Sequence, residues 1–309
     1  MITKNIVNYD KKVDILLHHS FVTGGSQGLG LSTAIELIKR GSNVTICARN
    51  KSKLSKAVDE LTKYKVYDDQ YIGYTIADLS DYSQTISALN KAKGDSGETP
   101  SMIFCCAGCS TPGWFAEMSV DNFMKDMQTN YYSALWTVKA ATSIIIQDGI
   151  KDSHVTLVSS VLGFPLGLPG YSSYTPSKHA IRGLGDTLRT ELQLYDIRTH
   201  VYFPGTIYTP GYETENETKP ALTKKIEGAA DGLTPQECAI ALLKGIDKDE
   251  YQITSDFVGS LIKNISRGAS PTNNILIDTF YLLIAAIAFP FWRIYMDYLV
   301  KSEKKVKNH

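Results

Sequence analysis

Short apolar runs alternate with segments of helical period along most of the chain. Residues 19–22, 43–49, 71–76, 101–106, 154–160 and 198–203 read as strands, each closed by glycine, proline or small polar residues. Between them, Ala34, Leu37 and Ile38 carry a helical repeat, as do Met124, Met127, Leu135 and Val138 within one helix over 120–147. Ile181, Leu184, Leu188 and Leu192 mark another, which begins near Tyr174. Strands and helices in this rhythm predict an α/β fold with a doubly wound parallel sheet and right-handed crossovers. Such a sheet binds its ligand at the carboxyl ends of the strands.

The pattern changes twice. Residues 206–231 are polar and aperiodic, which favours a lid over the substrate against a disordered insertion. Residues 275–300 are strongly apolar and aromatic. Their uninterrupted part, 279–292, has 14 residues and makes a helix of about 21 Å, short of a hydrocarbon core of about 30 Å. Lengthening it brings in Asp278, Arg293 and Asp297, each costly at depth. Tyr281, Trp292, Tyr295 and Tyr298 are headgroup-level residue types, and Pro290 would bend the segment. Membrane attachment is the expectation, as a short span, a hairpin or an in-plane anchor. The amphipathic stretch 257–265 either adds to that contact or packs on the sheet. The tail 301–309 is lysine-rich, which suits the cytosolic side.

Composition narrows the field. The chain has 309 residues, 43% of them hydrophobic and 21% charged, enough for one large core. Lysine plus arginine equals aspartate plus glutamate at 32 each, so no net field draws in nucleic acid. Cys47, Cys105, Cys106, Cys109 and Cys238 lack paired metal-ligand spacing, so a reducing compartment and no metal are expected. Cys106 and Cys109 form a lone CxxC, weak ground for redox chemistry. Residues 1–17 read as a polar N-terminal extension without a secretory signal, followed by a catalytic domain over 18–265.

Candidate chemistry clusters at the strand ends. Thr23-Gly24-Gly25-Ser26-Gln27-Gly28-Leu29-Gly30 joins a strand to a helix, and its glycines let a pyrophosphate approach backbone N–H groups at the helix start. At the end of the second strand, where an acid would hold the ribose of NAD, stand Ala48 and Arg49, with Lys53 beyond; this favours the 2'-phosphate of NADP. Asp78 and Leu79 are placed for an adenine ring, though Asp78 would serve equally as a helix cap. Thr206 and Thr209 are candidates for the nicotinamide side, or plain turn residues. Tyr174 and Lys178, four apart on a helix, set an ammonium beside a phenol whose ordinary pKa near 10 is too high for fast proton transfer. Asn130 is a lone amide among apolar helix positions, where it either takes part in the site or satisfies a backbone group.

Taken together, Thr23-Gly24-x-x-x-Gly28-x-Gly30, Asn130, Ser160, Tyr174-x-x-x-Lys178 and Pro204-Gly205 resemble the short-chain dehydrogenase/reductase pattern, in order, over about residues 18–265. Within it the chain is similar to the fungal 3-ketodihydrosphingosine reductases at residues 24–30, Cys105-Cys106-Ala107-Gly108, Thr218-Lys219-Pro220, Ile226-Glu227-Gly228 and residues 255–259. The resemblance implies a Rossmann-type sheet and NADPH held by Gly24, Ser26, Gln27, Gly28, Leu29, Gly30, Arg49, Lys53, Asp78, Leu79, Gly108, Tyr174, Lys178 and Thr209. It implies a long-chain sphingoid ketone as substrate, with Tyr174 as proton donor, Lys178 keeping the phenol acidic, Ser160 on the ketone oxygen and Asn130 holding a relay water. It also implies contact with membrane lipid and pairing into a homo-oligomer; separately, Lys305-Val306-Lys307-Asn308-His309 resembles a dilysine signal of the endoplasmic reticulum, or simply keeps the tail soluble. Two departures stand out. Cys105-Cys106 replaces the more usual Asn-Asn, and Ser160 precedes Tyr174 by 14 residues rather than 13, which leaves Ser159 as an alternative. Rival readings are a membrane-bound reductase of a retinoid, steroid or acyl ketone, and a non-catalytic NADP-binding scaffold.

Overall fold

The computed structural model describes residues 18–228 and 232–307. The expected N-terminal extension 1–17, residues 229–231 of the expected lid and residues 308–309 of the tail lie outside them. The chain opens with β1 (His19–Thr23), α1 (Gly28–Lys39), β2 (Asn43–Ala48), α2 (Lys51–Thr62), β3 (Ile72–Ile76), α3 (Tyr82–Ser96) and β4 (Met102–Cys105). It continues through α4 (Val120–Asp126), a π-helical turn at Met127–Tyr132, α5 (Ser133–Gln147), β5 (Ser153–Val158), α6 (Tyr174–Glu191) and β6 (Ile197–Tyr202). The last part holds α7 (Pro210–Thr218), α8 (Ala221–Glu227), α9 (Pro235–Asp247), β7 (Gln252–Ile253), α10 (Phe257–Ile265) and α11 (Ile275–Lys307).

The strands form one parallel sheet in the order β3-β2-β1-β4-β5-β6-β7. Successive residues of a strand face opposite sides, and both sides here are apolar. Phe21 and Ile103 join one core layer with Ala141 and Ile145 of α5 and Ile181 of α6. Val22 and Phe104 join the other with Leu37 of α1, Leu61 of α2 and Leu242 of α9. The strand order reverses between β1 and β4, and the loops that leave this switch point carry the candidate site.

Five sequence expectations change. β7 escapes the pattern because it has two residues, too few to display a period. The expected helix over 120–147 is interrupted by the π turn, which widens the backbone around Asn130. α3 is capped by Asp81, whose carboxylate accepts from Ser83 N and Gln84 N, while Asp78 closes a turn on Ser80. Within 206–231, the aperiodic polar stretch folds as α7 and α8, started by the Thr209 cap with Pro210 behind it and by Pro220. Residues 275–307 form one continuous helix through Pro290, so the hairpin is not adopted, and the expected tail continues that helix to Lys307.

α10 packs on α11 rather than on the sheet. Lys263 of α10 stands 3.6 Å from Asp278 of α11, both side chains buried.

Buried imidazoles join β5 to β6 and β1 to β2. His154 Nδ1 and His200 Nε2 are 2.9 Å apart in stacked rings, and His19 bonds Thr45 on β2. Burial lowers the pKa of His19, His154 and His200, and for His154 the neighbouring His200 and Arg198 lower it further. The unfolded chain, with imidazoles near 6.5, therefore takes up protons first as the pH falls. Stability is present above about pH 6.5 and is lost below it, towards the depressed folded values. Thermal melting between about pH 7.5 and about pH 5.5 should show the midpoint falling, with a shallower fall in His154→Gln. A flat profile in the parent protein would contradict this origin of acid sensitivity.

Candidate active site

The glycine turn between β1 and α1 fits a nucleotide. Gly24 has φ +64°, and a Cβ there would lie 2.9 Å from Ala107 Cα, so this residue must be glycine for the turn to abut the loop after β4. Gln27, at the N-cap of α1, makes no side-chain capping bond, leaving first-turn N–H groups for a phosphate. Arg49, exposed at the end of β2, has no ion pair or hydrogen-bonded side-chain partner among the described residues. Lys53 reaches across to Gln27 at 2.8 Å. Thr209, capping α7, comes against the same turn: a Cβ on Gly28 would stand 3.1 Å from its methyl group. Lys53 and Thr209 thus both reach the glycine turn, and Arg49 follows β2 nearby in the chain. Asp78 Oδ1 accepts from both Ser80 N and Ser80 Oγ, Oδ2 has no hydrogen-bond partner among the described residues, and Leu79 is buried.

The catalytic candidates meet next to that cradle. α6 opens at Tyr174 and carries Lys178 one turn on, with Lys178 Nζ 5.4 Å from the centre of the Tyr174 ring. Lys178 Nζ donates to Val158 O at 3.0 Å, which ties α6 to the end of β5. Ser160, just past β5, accepts from Leu162 N at 3.1 Å and lies close enough to the Tyr174 phenol to favour its ionised form. Ser159 instead donates to Lys178 O at 2.8 Å and is 1% exposed. This arrangement favours Ser160: Ser159 fastens a helix, and Ser160 stands beside the phenol. Gly108 is held close, because a Cβ there would meet Asn130 Oδ1 at 2.8 Å and Lys178 Nζ at 3.5 Å.

Electrostatics alter one expectation. Burial lowers Lys178 to about 8, partly opposed by Cys109, Cys106 and Asp126. Burial likewise raises Tyr174, helped by the Glu215 carboxylate and opposed by the Ser160 hydroxyl. Desolvation is the largest of these influences, and it keeps the phenol protonated, a neutral donor. Burial also pushes the Cys106 thiol up to about 12 and raises Cys109, so neither is a thiolate nucleophile. Among the described residues no group of His, Cys, Asp and Glu has the arrangement of a metal site.

Asn130 acts as a clamp. Its Oδ1 accepts from Cys109 N at 2.8 Å, and its Nδ2 donates to Cys109 O and Ser177 Oγ, both at 2.9 Å. Pattern reading missed its neighbour Asp126, fully buried at the end of α4. The Asp126 carboxylate accepts from Ser173 Oγ at 2.7 Å and Thr111 Oγ1 at 2.9 Å, joining the loop after β4 to the residue before Tyr174. A charged residue four positions before Asn130, on the same helix face, was the available signal. Also missed was the lock between α7 and α8. Lys219 contacts Glu215 at 2.9 Å and Glu227 at 2.8 Å, and the Tyr171 hydroxyl stands 2.7 Å from Glu215 and 2.6 Å from Glu227, its one proton shared between the two carboxylates. Its signal was the Glu215–Lys219 spacing of four.

Beside the first turn of α6 lies an apolar groove of about 360 Å³, lined by Trp114, Phe115, Leu168, Pro169, Tyr171 and Pro176 among others. Tyr171, which lines the groove, has its ring centre 6.0 Å from that of Tyr174, so the groove runs beside the candidate phenol. The site thus joins a nucleotide cradle, a buried Ser-Tyr-Lys set and an apolar channel.

A family model described as short chain dehydrogenase matches residues 18–220. The chain is 38% identical over 298 residues to the PIGF/3-ketodihydrosphingosine reductase fusion protein of Schizosaccharomyces pombe, covering 96% of this chain and 58% of that protein. It thus spans little more than half of that fusion. A 3-ketodihydrosphingosine reductase of Cryptococcus neoformans is 37% identical over 296 residues, with 96% of this chain and 86% of that protein covered. The corresponding protein of Dictyostelium discoideum is 34% identical, with 82% and 79% covered. Among solved structures, a short-chain dehydrogenase from Sphingobium yanoikuyae in complex with NADPH matches with a TM-score of 0.66 at 20% identity, over 77% of this chain and 87% of that one, a likeness of fold. The chain belongs to the short chain dehydrogenase family, and its sequence is similar over nearly its whole length to 3-ketodihydrosphingosine reductases.

Proposed function

We propose that this protein reduces 3-ketodihydrosphingosine to dihydrosphingosine with NADPH, a step of sphingolipid synthesis. The observation that carries the reading is the Ser160, Tyr174 and Lys178 set beside the Gly24 turn, in a chain similar throughout to reductases of that name. When bound, NADPH supplies the hydride for the C3 carbon of the ketone. Tyr174 donates its hydroxyl proton to the ketone oxygen, and Ser160 holds the same oxygen as negative charge develops on it, a contribution of about 3 kcal/mol for one preorganised donor. Lys178, cationic below about pH 8, offsets the charge left on the phenol. The clamp at Asn130 leaves one Oδ1 lone pair for the water that returns a proton to Lys178.

A feature near the phenol favours an amino ketone over a steroid or retinoid. The Glu215 charge acts on Tyr174 and disfavours its phenolate; an ammonium next to the ketone counters that charge. α7 and α8 serve as the lid, fastened by Lys219. The reading includes attachment to the endoplasmic reticulum with the catalytic domain in the cytosol, supported by the lysine-rich tail. Pairing into a homo-oligomer is part of the reading by resemblance alone.

Tyr174→Phe should lower turnover of the long-chain amino ketone at least about 100-fold with NADPH affinity unchanged; unaltered turnover removes Tyr174 from the mechanism. Arg49→Ala should raise KM for NADPH by about tenfold or more and leave KM for NADH alone. Equal effects on both cofactors would mean that Arg49 does not read the 2'-phosphate. Turnover should fall as pH rises through about 8, where Lys178 loses its charge, and Lys178→Arg should abolish that limb if it retains activity. A limb unmoved in an active Lys178→Arg enzyme would assign the titration to another group.

A further inference from the structure

α11 has two opposed apolar faces. One packs on the catalytic domain: Asp278, Ala285, Met296 and Leu299 are buried, and Phe289 and Trp292 pack against the core. The opposite face presents Leu276, Phe280, Leu283, Ile287, Phe291, Ile294 and Tyr298, each between 60% and 80% exposed. Steps of three and four keep these residues on one line of a helix turning about 100° per residue. No charged residue interrupts that line.

The inward contacts decide how such a helix can meet a bilayer. Asp278 is paired with Lys263 at one end, Arg293 Nη2 donates to Leu166 O further along, and Leu299 is buried near the other end. From Asp278 to Leu299 is about 32 Å at about 1.5 Å per residue, the full depth of a hydrocarbon core. A perpendicular crossing would therefore either pull the catalytic domain into hydrocarbon or strip α11 of its protein contacts along that whole length. Lying parallel to the surface costs neither, and it places the outer stripe in the acyl region.

We propose that α11 lies flat in one leaflet of a bilayer with its Leu276-to-Tyr298 stripe among the acyl chains, and that a lipid ketone passes from there into the groove beside α6. The helix supports the wall of that groove. Arg293 bonds Leu166, and the chain runs on from Gly167 through Leu168 and Pro169 to Tyr171, residues that line it. Charge favours a lipid surface as the occupant over a second copy of the chain, since the helix leads into Lys301, Lys304, Lys305 and Lys307, which suit anionic headgroups. The delivery step rests on the reductase reading above; the orientation of the helix does not.

The test uses the full chain added to preformed phosphatidylcholine vesicles containing some phosphatidylserine. Thr272→Cys and Ser302→Cys, one beyond each end of the stripe, are labelled with a membrane-impermeant maleimide and corrected for the parent protein. Both positions should label equally before and after detergent. Protection of either end until detergent is added would mean that the helix crosses, and would overturn the proposal. In flotation, Leu283→Glu with Ile287→Glu should reduce vesicle binding at least tenfold with an unchanged melting temperature, and raise KM for vesicle-borne long-chain ketone more than it lowers kcat. Undiminished flotation of that variant would also overturn it. Absence of NADPH oxidation with every ketone would remove the reductase reading, while labelling and flotation would still decide the orientation.

Discussion

An ammonium buried against a single backbone carbonyl is the constraint on which this site depends. Lys178 is 4% exposed and has no carboxylate in contact among the described residues, so its charge is held by Val158 O and by more distant groups. Removing such a group from water costs several kcal/mol unless fixed dipoles replace the solvent. β5 supplies one such dipole through Val158, and α6 carries the lysine back across the sheet to meet it. The result is a cation whose pKa lies near the working pH rather than far above it, next to a phenol that burial keeps protonated.

Holding those two groups together takes more than α6. The π turn at Met127–Tyr132 aims Asn130 at the Cys109 backbone and at Ser177, while Asp126 takes hydroxyl bonds from Thr111 and Ser173. Both ties run from the loop after β4 to the first turn of α6, on either side of Tyr174. The loop in turn touches the glycine cradle through Ala107, so cofactor turn, clamp and catalytic helix share one continuous set of contacts. Breaking either tie would loosen the phenol relative to the cradle without removing a catalytic group.

The parts of this arrangement visible in the sequence are those with a local period or a fixed spacing. Six strands, the glycine turn and the Tyr174–Lys178 pair are local features, and the structure places them where pattern and chemistry put them. What was not visible depends on contacts between distant segments. A two-residue strand exists only because β6 offers it an edge, and the π turn has no periodic mark. The helices α7 and α8 are polar, and they are held by Lys219, Glu215, Glu227 and Tyr171, two of which lie far apart in the chain. The choice between Ser159 and Ser160 turned on which hydroxyl points at the α6 backbone, which spacing alone does not encode. The phenol's environment is hidden for a related reason: lysine proximity is readable from a sequence, whereas burial, the largest influence on Tyr174, is not.

The central claim is that burial brings the Lys178 ammonium into the neutral range beside a protonated Tyr174. Titration of the Lys178 side chain by NMR, with 13C-labelled lysine and Lys178→Arg used to assign the signal, tests it most directly. The account predicts a midpoint at about 8. A midpoint at the ordinary lysine value of 10.5 would contradict it.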